Sequence, residues 1–252
     1  PVQVVAADGK TDIYGVVYRP PGYSEDQNYP VLDFSGGYRW YTQVAQGSFG
    51  NSASLYEGPY MWAQAYAALG FVVLTLEGRG TPLRSKAFSE HRYGEPSATS
   101  DLNDRVTGIK QLADRYPYMD ISRVGLAGSE GCTNAIFGQI DHPDFYKATA
   151  IHCFHDPRAS TAEIAEIFDG VPAYGQESTG ARHAIDCVSD FKGKLLLIDG
   201  MLNFSVGSTF RLIHALQRAR KSFDMQILPI GIHAIDGLGA RCEYDFFVTH
   251  LL

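Results

Sequence analysis

The sequence predicts an α/β fold: a mostly parallel central sheet with helices on both faces. Three observations lead there. Short apolar runs alternate with longer amphipathic ones from end to end, the pattern of parallel strands joined by helices. Several of the short runs are apolar without a break, as strands covered on both faces tend to be. The 252 residues contain no repeat, linker or low-complexity segment, and 45% are apolar and 12% aromatic. That is enough for one substantial core, so a single domain over 1–252 is expected.

The strands follow in order as DIYGVVY (12–18), PVLDFS (30–35), FVVLTL (71–76), RVGLA (123–127), ATAIH (148–152), KLLLID (194–199) and DMQILP (224–229). Helical periodicity fills the intervals: YMWAQAYAALG (60–70), DLNDRVTGIKQLADRY (101–116), TNAIFGQI (133–140), STFRLIHALQRARK (208–221) and CEYDFFVTHLL (242–252). Gly70 stands where a C-terminal glycine cap belongs, directly before the strand at 71. In such sheets the chemistry gathers at the carboxyl ends of the strands.

A formal charge of −7 argues against nucleic acid or an anionic membrane as partner. No apolar run approaches the length of a membrane span, and PVQVVAADGK does not read as a signal peptide. It also lacks an initiator Met, which fits a fragment or a processed chain. Cys132, Cys153, Cys187 and Cys242 are far apart with no C-x-x-C spacing. Neither a metal site nor a dense disulfide framework is expected, and buried free thiols are the default. No residue pattern calls for a cofactor.

The candidate chemistry sits in SRVGLAGSEGCTNAIFG, residues 122–138, where an apolar strand turns sharply into a helix. A G-x-S-x-G turn at this place is the nucleophile elbow of an α/β-hydrolase. Here it reads A-G-S-E-G, with Ala127 at the first glycine position and Ser129 as the candidate nucleophile. Ala127, Gly128 and Gly131 keep the crowded turn small, and the N–H of Glu130 would face a developing oxyanion. The simpler alternative is a serine that only caps the following helix. His233, in LPIGIHAIDG after the last strand, is the candidate base, since a loop lets it reach the nucleophile. After KLLLI the chain runs D-G-M-L-N-F-S-V, placing Asn203 in the turn where an acid is expected and Asp199 near the strand end. Asn can orient an imidazole but carries no charge for an imidazolium. Asp199 reads better as a structural hydrogen-bonding residue than as the acid.

Beyond these residues, DGKTDIYGVVYRPPGY, YPVLDFSGG, GFVVLTLEGRGTPLRSKAF, LADRYPYMDISRVGL, HPDFYKATA, HDPR (155–158) and FDMQILP together span nearly the whole chain. In them the sequence resembles the catalytic domain of the prolyl oligopeptidase family, with the bacterial dipeptidyl-peptidase IV-like branch nearest. The resemblance implies an α/β-hydrolase domain and serine-type cleavage of peptides, often near proline or a small residue.

It also defines the departures. The family pattern R-V-G-[IL]-x-G-x-S-x-G-G puts the serine seven residues after the arginine. From Arg123 that count reaches Glu130, whereas counting back from HPDFYK (142–147) reaches Ser129. One residue is therefore missing around the elbow. Ser129 is favoured because the helix after it tolerates a deletion poorly. The family's H-G-x-x-D-D-N-V aligns with Asp199 to Val206, so its acid is Asn203 and its first histidine is Asp199. The catalytic histidine maps to His233. An oxyanion tyrosine falls near Ser35, with Tyr38 close by, and two pocket tyrosines map to Ile164 and Phe168, an apolar substrate pocket.

The resemblance implies a peptide substrate or ligand. It also implies a homodimer or association with a β-propeller domain, which 1–252 does not contain. A periplasmic or secreted setting is favoured by the resemblance alone, and the compartment stays open. Two functions remain. One is a serine hydrolase acting on peptide bonds, or on isopeptide or ester bonds, since S-E-G also resembles the elbow of some lasso-peptide isopeptidases. The other is an inactive homologue used for binding or assembly.

Overall fold

The computed structural model describes residues 1–35, 42, 44, 58–92, 100–128, 133–156, 182–231 and 237–252. Eight strands form one sheet: β1 (Val2–Val5), β2 (Asp12–Tyr18), β3 (Tyr29–Ser35), β4 (Val72–Leu76), β5 (Met119–Gly128), β6 (Tyr146–His152), β7 (Lys194–Gly200) and β8 (Asp224–Leu228). Their order across the sheet is β1-β2-β4-β3-β5-β6-β7-β8. β1 and β2 join antiparallel at one edge, and every pairing from β4 to β8 is parallel. The helices are α1 (Gly58–Ala68), the single turn α2 (Lys86–Ser89), α3 (Ser100–Arg115), α4 (Thr133–Asp141), α5 (Val206–Arg218) and α6 (Gly237–Leu251).

Side-chain alternation along the strands assigns each residue to a face. Val31, Leu74, Leu126 and Leu197 meet Val106, Ile109 and Leu112 of α3, Ile136 and Phe137 of α4, and Leu212 and Leu216 of α5. Leu32, Phe34, Val73, Ala127, Ala150 and Ile198 face the other way, onto Ala63 and Tyr66 of α1 and Phe246 and Phe247 of α6. A register shift at the start of β6 turns Tyr146 to the α3/α4 side while Ala148 keeps the α1/α6 side.

One buried charge cluster ties the first layer to the sheet. Arg105 of α3 donates through Nε to Asp33 Oδ2 at 3.0 Å, through Nη1 to the Leu76 carbonyl at 2.6 Å, and through Nη2 to the Phe34 carbonyl at 3.0 Å. Nη2 also meets Asp33 Oδ1, and the Tyr146 hydroxyl donates to Asp33 Oδ2 at 2.8 Å. Burial disfavours the charged guanidinium, but Asp33 outweighs it and holds Arg105 above its ordinary pKa. The same site, through burial first and then Asp33, pushes the Tyr146 phenol well above its ordinary value.

The seven predicted strands and five predicted helices form, with shifted ends. Gly70 has φ +110° and its N–H reaches the Ala67 carbonyl at 3.0 Å, the expected glycine cap. β1 was not expected, because four residues are too few for a period to show. α6 starts at Gly237 rather than 242: GLGAR looks like loop by propensity, but Gly239 and Ala240 are buried in the packing. α5 spans Val206–Arg218 rather than 208–221. Arg220 turns left-handed at φ +55° and the Lys221 N–H reaches back to the Leu216 carbonyl at 2.9 Å, so the helix closes although Ala219 to Lys221 favour continuing it. Buried thiols were expected throughout. Cys153 is a buried free thiol, whereas Cys187 and Cys242 are free but only half-buried, and Cys132 lies outside the described residues.

Candidate active site

The parallel registers bring several strand ends level. Ser35 pairs with Gly128, and Gly128 with Ile151. β5 ends at Gly128 and α4 begins at Thr133, and Ser129 and Glu130, between them, lie outside the described residues. His233, Tyr38, Ile164 and Phe168 also lie outside them. Ser35 is the half-buried last residue of β3. The helix after the turn is tightly seated: a Cβ at Gly138 would press on the Leu126 and Tyr146 side chains.

Asn203 lies among the described residues, and its Oδ1 accepts from the Ser205 N–H at 3.4 Å. It is 4% exposed, in the turn between β7 and α5. Its Nδ2 donates to Asp199 Oδ1 at 2.7 Å and to Ser205 Oγ at 3.0 Å. A carboxylate only accepts, so this contact fixes which end of the amide is nitrogen and turns Oδ1 away from Asp199. Asp199 is 1% exposed. Besides Asn203 it accepts from the Gly200 N–H at 2.7 Å through Oδ1 and from the Thr209 hydroxyl at 2.5 Å through Oδ2. The strand-end aspartate is thus the hydrogen-bonding residue that the sequence suggested.

The 200–203 turn is joined to the chain leading toward His233. The Met201 N–H donates to the Leu228 carbonyl at 2.9 Å and the Leu202 N–H to the Gly231 carbonyl at 3.0 Å. A Cβ on Gly200 would run into the Gly231 backbone, so only glycine lets the two segments meet. Met201, Leu202, Phe204 and Ile230 form an exposed apolar rim here, Phe204 at 80% and Ile230 at 84%.

Sequence reading gave no role to His152, at the end of β6. Its Nε2 lies 2.8 Å from Glu243 Oε2 of α6, both side chains buried, although the two are poorly aligned for a hydrogen bond. Burial, then the Glu243 carboxylate, raises the pKa of nearby Tyr66 well above its ordinary value. The only early signal was a histidine closing an otherwise apolar strand.

Elsewhere, an open groove of about 510 Å³ lies between α5 and the 3-10 turn at Ala184–Asp190. Asp156, Asp186, Arg211, His214 and Arg218 line it, charges of both signs. Among the described residues no cluster of three His, Cys, Asp or Glu could hold a metal, and no helix is long and apolar enough to cross a membrane.

A mostly parallel sheet sandwiched by helices, with β5 followed by α4 at its centre and a polar turn after β7, is the α/β-hydrolase arrangement. The sequence model of the prolyl oligopeptidase family matches residues 59–251, and the chain belongs to that family. Human dipeptidyl peptidase 8 is 26% identical over 254 aligned positions, covering 95% of this chain and 27% of its own length. The mouse protein of that name matches equally, at 26% identity over 95% of this chain and 27% of its own. The chain therefore spans about a quarter of the length of these curated relatives.

Among solved structures, a Bacteroides ovatus chain described as a dipeptidyl aminopeptidase IV superposes with a TM-score of 0.85 at 21% identity, over 99% of this chain and 35% of its own. Porphyromonas gingivalis dipeptidyl peptidase 4 gives 0.80 at 22% identity, over 99% and 35%. An acylaminoacyl peptidase bound to Z-Gly-Gly-Phe-chloromethyl ketone gives 0.76 at 20%, over 99% and 41%. At these identities the likeness establishes the fold.

Proposed function

We propose that the chain is the hydrolase domain of a serine peptidase, with Ser129 as nucleophile, His233 as general base and Asn203 orienting the imidazole. One observation carries the reading. Beyond the carboxyl end of β7, Asn203 is held by Asp199 through its Nδ2, and its Oδ1, which accepts from the Ser205 N–H at 3.4 Å, has a second lone pair that suits it to accept an imidazole N–H. Membership of the family supports the nucleophile and base assignments. The tight seating of α4 supports Ser129 over Glu130, because a residue lost after the serine would displace that helix.

In this mechanism Ser129 Oγ attacks the peptide carbonyl as His233 takes its proton. The oxyanion is held by the Glu130 N–H and a second donor from Ser35 or Tyr38. Collapse expels the amine, which takes the proton back from His233, and water then releases the acyl group from Ser129 by the same route. Ile164 and Phe168 form an apolar substrate pocket. The substrate class is peptides, as the names of the dipeptidyl peptidase relatives suggest. Assembly as a homodimer or with a propeller domain belongs to the same proposal.

A second reading, an inactive homologue that binds peptides, is favoured by the amide at position 203 and the irregular A-G-S-E-G turn. Fluorophosphonate treatment followed by intact-mass analysis and peptide mapping separates the two. The hydrolase reading expects one adduct on Ser129, absent in Ser129→Ala. A folded protein that takes no adduct, while a competent relative is labelled alongside, would establish the second reading.

A further inference from the structure

We infer that Asp199 supplies the negative charge that the acid position has lost, acting on His233 through the Asn203 amide. Asp199 is a positioning residue, and the inference rests on the hydrolase reading above. Its carboxylate is 1% exposed, and every partner it has is a neutral donor: the Gly200 N–H, Asn203 Nδ2 and the Thr209 hydroxyl. Among the described residues no cation lies within ion-pair distance of it. A buried carboxylate without a counter-charge is costly to keep, and a neutral side chain could make bonds of the same number. The cost is rational if the charge is used.

Its place suggests how. Asp199 and Asn203 stand four residues apart, at the end of β7 and in the turn that follows it. The two are hydrogen-bonded at 2.7 Å, which puts the negative charge on the nitrogen side of the amide. A carboxylate on the nitrogen end polarises an amide, making its oxygen a stronger acceptor for the imidazole N–H. The negative charge also favours the imidazolium that forms as Ser129 attacks. An acid restored at 203 alone would face Asp199 across one hydrogen-bond distance, and two carboxylates there cannot both ionise. With Asp at 199, a neutral residue at 203 is therefore favoured.

The test is the rate of fluorophosphonate labelling of Ser129 in four versions of the 252-residue chain, each with its thermal midpoint. Asp199→Asn should label roughly 100-fold more slowly, less than the roughly 10⁴-fold loss from removing a directly contacting acid, and its labelling-pH profile should shift to lower pH. Thr209→Val, which removes one bond to the same carboxylate but not its charge, should label within a few-fold of wild type. The double change Asp199→Asn/Asn203→Asp, which moves the charge back to the imidazole, should recover most of the lost rate. Wild-type labelling in Asp199→Asn, or no recovery in the double variant relative to Asp199→Asn, would overturn the inference. A wild-type chain that takes no label instead overturns the hydrolase reading on which it rests.

Discussion

Asp33 and Asp199 project from the same face of one sheet, onto the layer formed by α3, α4 and α5, and both are buried to within 1%. Each accepts hydrogen bonds at both carboxylate oxygens. They differ in what answers their charge. Asp33 faces the Arg105 guanidinium, which also caps the Leu76 and Phe34 carbonyls, so charge and hydrogen bonds close together. Asp199 has only neutral donors. The first arrangement is complete in itself and holds α3 to the ends of β3 and β4. The second leaves a charge unanswered beside the strand end where the candidate chemistry lies. Burial alone does not separate a structural acid from a functional one; the identity of its donors does.

That contrast can be broken most directly at Arg105. Arg105→Met leaves Asp33 buried and unpaired, and urea denaturation should show a loss of about 3–5 kcal/mol. Arg105→Met/Asp33→Leu, which removes both charges, should recover much of it. Next in size is Gly200→Ala, which forces a methyl into the Gly231 backbone and should cost about 1–3 kcal/mol together with labelling of Ser129. Asp199→Asn sharpens the contrast from the other side: the neutral isostere keeps most of the hydrogen bonds, so stability should change by no more than about 1 kcal/mol while the labelling rate falls. Equal losses of stability in Arg105→Met and Asp199→Asn would erase the distinction.

The smallest effect lies outside both sites. Burial, reinforced by Lys110 and opposed by Asp141, holds His142 below its ordinary value of 6.5. The unfolded chain then takes up the proton first as pH falls. The His142 contribution is complete above pH 6.5 and is lost on acidification through the lower folded value. Unfolding free energies from urea denaturation at pH 7.5 and 5.5 should differ by under about 1 kcal/mol from this group, a difference that His142→Asn removes.

The strands were legible because their apolar runs are set by burial on both faces, and VVLTL in β4 is buried at every position. Element ends were less so, since α6 begins on glycines that only packing makes helical. Asn203 could be read from its spacing after a strand. The partners that give Asp199 its meaning could not all be read, because Thr209 reaches it across ten residues by folding of the turn. Arg105 and Asp33 are 72 residues apart, and nothing local marks either as half of a pair.

The contact between Gly200 and Gly231 has a consequence for changing this protein by selection. The turn bearing the acid position and the segment leading to His233 are distant in sequence but fit as one rigid part, because neither glycine can gain a side chain there. Randomised libraries that leave these two codons untouched and vary Met201, Leu202, Phe204 and Ile230, whose side chains are exposed, would reshape the rim while the glycine contact beneath it keeps its fit.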